Sequence, residues 1–226
     1  MTGDQKDGIL RTGRLILVRH GQTAHNRERR MQGHLDAPLD DTGRAQAHQL
    51  ALHFRAQGVT APSIHSSDLA RAAATAQALH RELGGTLLQY PSLREIHMGA
   101  WEGRLYSDLQ TQQAELFSRF WGGDAHCLAP GGETPHATGE RVLRHTLAHW
   151  PQAGKTLVLV SHGIAIGALL SRLLGLDYQT GWRSRALEHR NTAYSVLDVD
   201  PRNHSVLRSE LAQAGHLDSL EAVLTP

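Results

Sequence analysis

"LVRHG" (17–21), "IHSSDLARA" (64–72) and "LVLVSHG" (157–163) share one grammar, and reading it decides the fold. In each, a short apolar run passes abruptly into histidine, serine, arginine or glycine. Leu15 to Val18 is apolar at every position, without the alternation of a strand that has one wet face. That pattern predicts a strand buried on both sides. The helical segments between these runs supply the layers that bury them, so the expectation is an α/β fold. It has a mostly parallel central sheet flanked by helices in three layers. In such sheets ligands bind at the carboxyl ends of the strands, which is where the polar residues fall.

Between the runs the spacing predicts further elements. "LDDTGRAQAHQLALHFRAQG" (39–58) has a capping Asp or Thr, an apolar face of Ala47, Leu50, Ala51 and Phe54, and Gly58 as a stop. After the Ile64-His65 strand, Ser66 or Ser67 is the expected cap of a helix with Leu69, Ala72, Ala73, Ala76, Leu79 and Leu83 inward. "TLLQY" (86–90) is a further strand candidate. Residues 94–135, with three glycine-rich points and two of the four tryptophans, predict a small, mainly helical inserted lobe over the site, with one helix around 104–120. "TPHATGERVLRHTLAHW" (134–150) predicts a helix with Val142, Leu143, Thr146, Leu147 and Trp150 inward. "TAYSVLDVD" (192–200) reads as the last strand, a candidate sheet edge whose exposed face could pair in a homodimer.

Length and composition bound the rest. A chain of 226 residues fits one domain. The expected division is a flexible polar segment over 1–13 and a single catalytic domain over 14–226. The first thirteen residues lack the apolar core of a signal peptide. The apolar stretch 156–176 is interrupted by Ser161, His162 and Arg172, so strand plus helix is a better reading than a membrane span. One cysteine, Cys127, leaves no disulfide framework, and a reducing cytoplasm is the default location. Net charge is +1, and the arginines are scattered among 22 acidic residues, which argues against a nucleic-acid surface. No spacing of ligand residues pointed to a metal.

At the strand ends Arg19, His20, Arg71 and His162 would converge into a cationic pocket for an anion. Two guanidinium forks suit phosphate oxygens. A neutral imidazole beside them can attack phosphorus. The leaving group then needs a proton, for which Glu95 in the lobe is the candidate, with Arg94 as a pairing partner that could occupy it and Glu102 as its competitor. Taken singly, each residue has a plain structural reading: a packed histidine, a solvated arginine, a paired glutamate. Asn191 is expected near the pocket. His97 and His126 are read as solvated, and Trp101 and Trp121 as lobe packing.

In order, "RHGQTAHN", "MQGHLDAPLDDTGRAQA", "SSDLARAAATA", "LREIHMGAWEG", "PGGET" and "VSHG" resemble the histidine phosphatase superfamily, the phosphoglycerate-mutase-like fold, from about Arg14 to Leu217. The resemblance implies His20 as phosphate acceptor, Arg19 and Arg71 as its clamp, His162 as charge stabiliser and Glu95 as proton donor and then base. It further implies Asn26 and Thr23 as phosphate contacts, Gln32 and Gly33 at the entrance, and no cofactor or metal. "GAWEG" (99–103) is similar to the phosphatase branches, where water resolves the phosphohistidine. The expected function is therefore metal-independent hydrolysis of small phosphorylated metabolites. The alternatives are a cofactor-dependent phosphoglycerate mutase and, from another class, a module that binds phospho-ligands or a partner without turnover.

Overall fold

The computed structural model describes residues 12–218. Six strands form one sheet: β1 (Gly13–Arg19), β2 (Ser63–Ser66), β3 (Thr86–Gln89), β4 (Thr156–Ser161), β5 (Tyr194–Val199) and β6 (Val206–Gln213). Their spatial order is β3-β2-β4-β1-β5-β6. The pairs β3–β2, β2–β4 and β4–β1 are parallel, while β1–β5 and β5–β6 are antiparallel, so β5 alone is reversed. The helices are α1 (Ala24–Arg27), α2 (Asp41–Ala56), α3 (Ala70–Leu83), α4 (Tyr106–Gln112), α5 (Ala114–Trp121), α6 (Pro135–Ala148), α7 (Gly163–Leu174) and α8 (Tyr178–Arg183).

The continuous apolar strands do bury both faces. Leu15 and Leu17 of β1 join Leu157 and Leu159 of β4 under α6 and α7. Ile16 and Val18 join Val158 and Val160 on the other side, against α2 and α3. Asp40 caps α2 by accepting from the Gly43 amide at 2.8 Å, a bond of the kind that contributes about 1 kcal/mol. The stretch 156–176 divides into β4 and α7, and no described helix is long and apolar enough to cross a membrane.

Several expectations need correcting. β5 is not an edge: β6 pairs outside it, so the homodimer surface expected on β5 is covered by this chain's own strand. β6 carries no apolar pattern in the sequence because every one of its side chains is at least partly exposed. The single lobe helix is two, broken at Gln113 (φ −138°, ψ 43°). Neither Ser66 nor Ser67 caps α3; Leu69 holds that position without a side-chain bond. Leu147 is exposed rather than inward. Of the segment expected to be flexible, residues 1–11 lie outside the described residues, while Gly13 already belongs to β1. Within 94–135, Ile96, Met98, Trp101, Leu109, Phe117 and Phe120 make a third apolar cluster that also takes in Met31 and Ile164. The lobe is thereby seated on the loop after β1 and on the start of α7.

Candidate active site

β1 and the start of α3 deliver Arg19, His20 and Arg71 to one cavity of about 760 Å3, and the chain leaving β4 adds Gly163 and Ile164. Arg19, His20, Asn26, Gln32, Gly33, Arg71 and Glu95 line it. His20 leaves β1 with its backbone N–H on the Ser161 carbonyl at 3.0 Å, which ties the first motif to the last. The turn that follows needs glycine for space: a Cβ on Gly21 would lie 2.4 Å from the Gly43 carbonyl oxygen of α2.

His20 is 2% exposed. Its Nδ1 sits 2.7 Å from the Gly21 carbonyl oxygen, which can only accept, so Nδ1 carries the proton and Nε2 keeps its lone pair. Arg71 Nε donates to that Nε2 at 3.3 Å. Burial, then the Arg71 and Arg19 charges, holds the imidazole well below its ordinary range and therefore neutral. Arg71 is fully buried, and its two other nitrogens donate to the Gly33 and Leu35 carbonyls at 2.8 Å each. Burial pulls it down to about 10, which leaves it charged at neutral pH.

Arg19 donates from Nη1 to the His189 carbonyl at 2.6 Å, while its buried Nε has no partner. His162 caps α7 and lies beneath the cavity rather than on its wall, its ring centroid 5.1 Å from that of His20. Both of its ring nitrogens are buried without a hydrogen bond. Unsatisfied polar groups at this density are costly in a folded core and mark a place where a ligand completes the bonding. Burial, then Arg71 and His20, holds His162 neutral too.

Glu95 lies across the pocket on the lobe side. Its carboxyl accepts from the Ala165 amide (2.9 Å), the Ile164 amide (3.2 Å) and its own neighbour Ile96 (3.0 Å), so it sits on the N-terminus of α7. Arg94 is not its partner; that guanidinium pairs with Asp68 at 2.5 and 2.7 Å. Glu102 is no competitor, since it accepts from the His34 and Met98 amides and does not line the cavity.

The remaining predicted residues divide. Asn26 and Gln32 line the wall, but Thr23 does not. Its hydroxyl caps α1 and donates to Gln32 at 2.9 Å, so it orients the two that do. Asn191 lines the cavity and donates to the His20 carbonyl (3.0 Å) and to Asn26 Oδ1 (3.2 Å). Trp101 is buried packing, whereas Trp121 both stacks on Phe117 and reaches the cavity. His97 and His126 stay outside it.

The basic run "NRERRMQ" (26–32) reads in the sequence as a pocket rim and does line the mouth, but sequence reasoning missed the arginines opposite it and the supports. Arg27, Arg29, Arg30, Arg183, Arg185 and Arg190 surround the opening, with Tyr106 and Trp182 as apolar wall. Arg141 on α6 donates to the Ser92, Arg94 and Glu95 carbonyls (2.9–3.2 Å) and pairs with Glu133 of "PGGET" at 2.8 Å. It fixes the backbone that carries Glu95. Away from this cavity, His65, His145 and His149 come together where β2 meets the end of α6.

Known proteins match this architecture over most of its length. A profile of the histidine phosphatase superfamily (branch 1) matches residues 15–211. A protein of Escherichia fergusonii named "Probable phosphoglycerate mutase GpmB" is 36% identical over 211 residues, covering 92% of this chain and 95% of its own. Among solved structures, a mycobacterial glucosyl-3-phosphoglycerate phosphatase in complex with VO3 superposes with a TM-score of 0.75 at 32% identity, covering 89% of this chain and 98% of that one. A phosphoserine phosphatase mutant from Entamoeba histolytica, solved with phosphoserine, gives 0.73 at 25% identity, covering 90% and 98%.

Proposed function

The chain belongs to the histidine phosphatase superfamily, and we propose that it is a metal-independent phosphomonoester hydrolase working through a phosphohistidine on His20. One observation carries the reading: a neutral His20 whose Nδ1–H is anchored on the Gly21 carbonyl and whose Nε2 lone pair faces Arg71. That is a nucleophile already in the right tautomer, next to the charge that would receive phosphate.

In the first half-reaction His20 Nε2 bonds to phosphorus and the ester P–O bond breaks. Arg19, Arg71 and His162 bind the equatorial oxygens as charge moves onto them. Arg71 exchanges its contact with Nε2 for one to the phosphoryl group, and the unpartnered Arg19 Nε and the one N–H of neutral His162 gain acceptors. Glu95 gives its proton to the leaving oxygen. In the second half it takes one from water, the water oxygen bonds to phosphorus, and the N–P bond breaks. Asn26, held by Thr23 and Asn191, contacts the phosphoryl group, and Gln32 and Gly33 border the entrance. The arginine-lined mouth favours metabolites with a second anionic group beyond the transferred phosphate.

The phosphoglycerate mutase reading stays open on the name of the Escherichia fergusonii relative. It would need the phosphoryl group to pass to a second hydroxyl rather than to water. The lobe arginines Arg104 and Arg119 stand apart in the sequence and do not line the cavity; Arg119 is paired with Asp124 at 2.8 Å.

A panel of phosphomonoesters assayed for phosphate release with chelator present, beside a mutase assay supplied with 2,3-bisphosphoglycerate, separates the readings. Release that chelator leaves intact and His20→Ala abolishes supports the hydrolase. Isomerisation without release assigns the mutase, and ligand binding with no turnover assigns a binding module.

A further inference from the structure

The geometry points to a second site: His65, His145 and His149 form a three-imidazole site for a borderline divalent transition metal, Zn2+ above all, on the α6 face of the sheet. One nitrogen from each residue lies within 4.8 Å of the others. His149 is the C-cap of α6, four residues after His145, and the two rings stack with centroids 4.4 Å apart. His65 meets them from β2, with its Nδ1 3.1 Å from His145 Nε2. Two ligands of a tetrahedral zinc, with bonds of about 2.0–2.1 Å, stand roughly 3.3 Å apart, so this pair is already close to coordination distance.

The outer nitrogens are what make the cluster a site. His149 Nδ1–H donates to the His145 carbonyl at 2.9 Å, which leaves its Nε2 bare. His145 Nδ1 is hydrogen-bonded to the Ser92 hydroxyl at 2.9 Å, and His65 Nε2 to that of Ser63 at 3.3 Å. Each ring thus has a partner on the nitrogen that would face away from a metal. Such partners fix tautomer and ring orientation in imidazole–metal centres. Without metal, the His65–His145 contact needs a proton between the two inner nitrogens. With metal, that proton moves to the outer nitrogen of the same ring, whose serine then accepts, and no net proton is lost.

Tyr90 encloses the cluster, its ring centroid 4.8, 4.6 and 5.4 Å from those of His65, His145 and His149. His65 and His145 are buried, but His149 is exposed, so an ion has a route in and a fourth position open to water. Three imidazoles with no thiolate or carboxylate suit zinc and its neighbours rather than calcium or magnesium. Bound there, the ion would tie α6 to β2 and, through Ser92, to the segment leading to Glu95. The site stands apart from the proposed chemistry.

The test uses the full chain, stripped by chelator and titrated with Zn2+ by calorimetry, beside His149→Ala. The exposed position of His149 spares the fold. The result expected is a saturable equivalent of Zn2+ in the wild type whose affinity falls on the order of tenfold or more in the variant. Co2+ should give a tetrahedral visible spectrum in the wild type alone. Equal uptake by both proteins, including none by either, overturns the proposal. Melting with and without Zn2+ gives a second reading: a rise confined to the wild type supports it, and the same shift in both proteins contradicts it.

Discussion

Arg71 Nε donates to His20 Nε2 at 3.3 Å while its other two nitrogens hold the Gly33 and Leu35 carbonyls. One guanidinium therefore anchors the entrance loop and occupies the nucleophile until phosphate arrives. Lysine offers one point charge in place of this fork. Arg71→Lys is expected to lower kcat/KM by roughly two orders of magnitude and also to reduce Tm, because two buried carbonyls lose their donor. Steady-state kinetics and thermal melting check both; a variant with native Tm and native kcat/KM would remove Arg71 from the account.

Acid should spare the nucleophile. His20 is held well below 6.5 by burial, Arg71 and Arg19, so its neutral form persists as pH falls through 6.5. Once the substrate's own ionisation is corrected for, kcat/KM should show no inflection near 6.5 on the acid side. An acid limb centred there would mean an ordinary, solvated histidine.

Folding stability should behave differently. Burial holds His189 and His216 at about 4 in the folded chain, against about 6.5 when unfolded. Between those values the unfolded chain binds more protons. The stability these groups contribute is complete above 6.5 and is lost as pH falls toward 4. Melting temperatures across pH 7.5 to 4.5 should fall in that window. His189 also holds Arg19 through its carbonyl, so activity at pH 5 should fade with the fold rather than with His20.

Glu95 is expected to matter in proportion to how badly the leaving group needs a proton. Glu95→Gln should lower kcat/KM, which reports the phosphorylation half-reaction, roughly 10²–10⁴-fold on alkyl phosphates and far less on activated aryl phosphates. A uniform loss across both classes would instead assign Glu95 to holding the α7 N-terminus, where its carboxyl accepts two amides.

Arg29 tests the mouth. It holds a left-handed backbone conformation (φ 54°) and lines the cavity. Asn tolerates that conformation without the charge. Arg29→Asn should raise KM several-fold for esters with a second anionic group and leave a neutral aryl phosphate unaffected. Equal effects on both would show the rim to be indifferent to the leaving group.

What the sequence disclosed follows from where the information lies. Leu15–Val18 and Leu157–Val160 announce buried parallel strands because both faces must be apolar, and the polar residues after them stand out by contrast. β6 gives no such contrast, being an exposed edge. His20, Arg19, Arg71 and His162 could be placed because each ends, directly follows or lies close behind a strand. Arg141 and the His189 carbonyl could not, since they act across 46 and 170 residues of chain through contacts that no local pattern encodes. His145 and His149 stand four residues apart at the end of α6 among many histidines, and the partner that singles them out lies 80 residues before His145 on a strand.

The most direct test is to quench the protein, and Glu95→Gln beside it, during turnover of an activated aryl phosphate and map any acid-labile phosphate by mass spectrometry of peptides. The account predicts a phosphoryl group on His20, more abundant in Glu95→Gln because water attack is slowed. Turnover with no phosphate on His20, or with it on another residue, would contradict it.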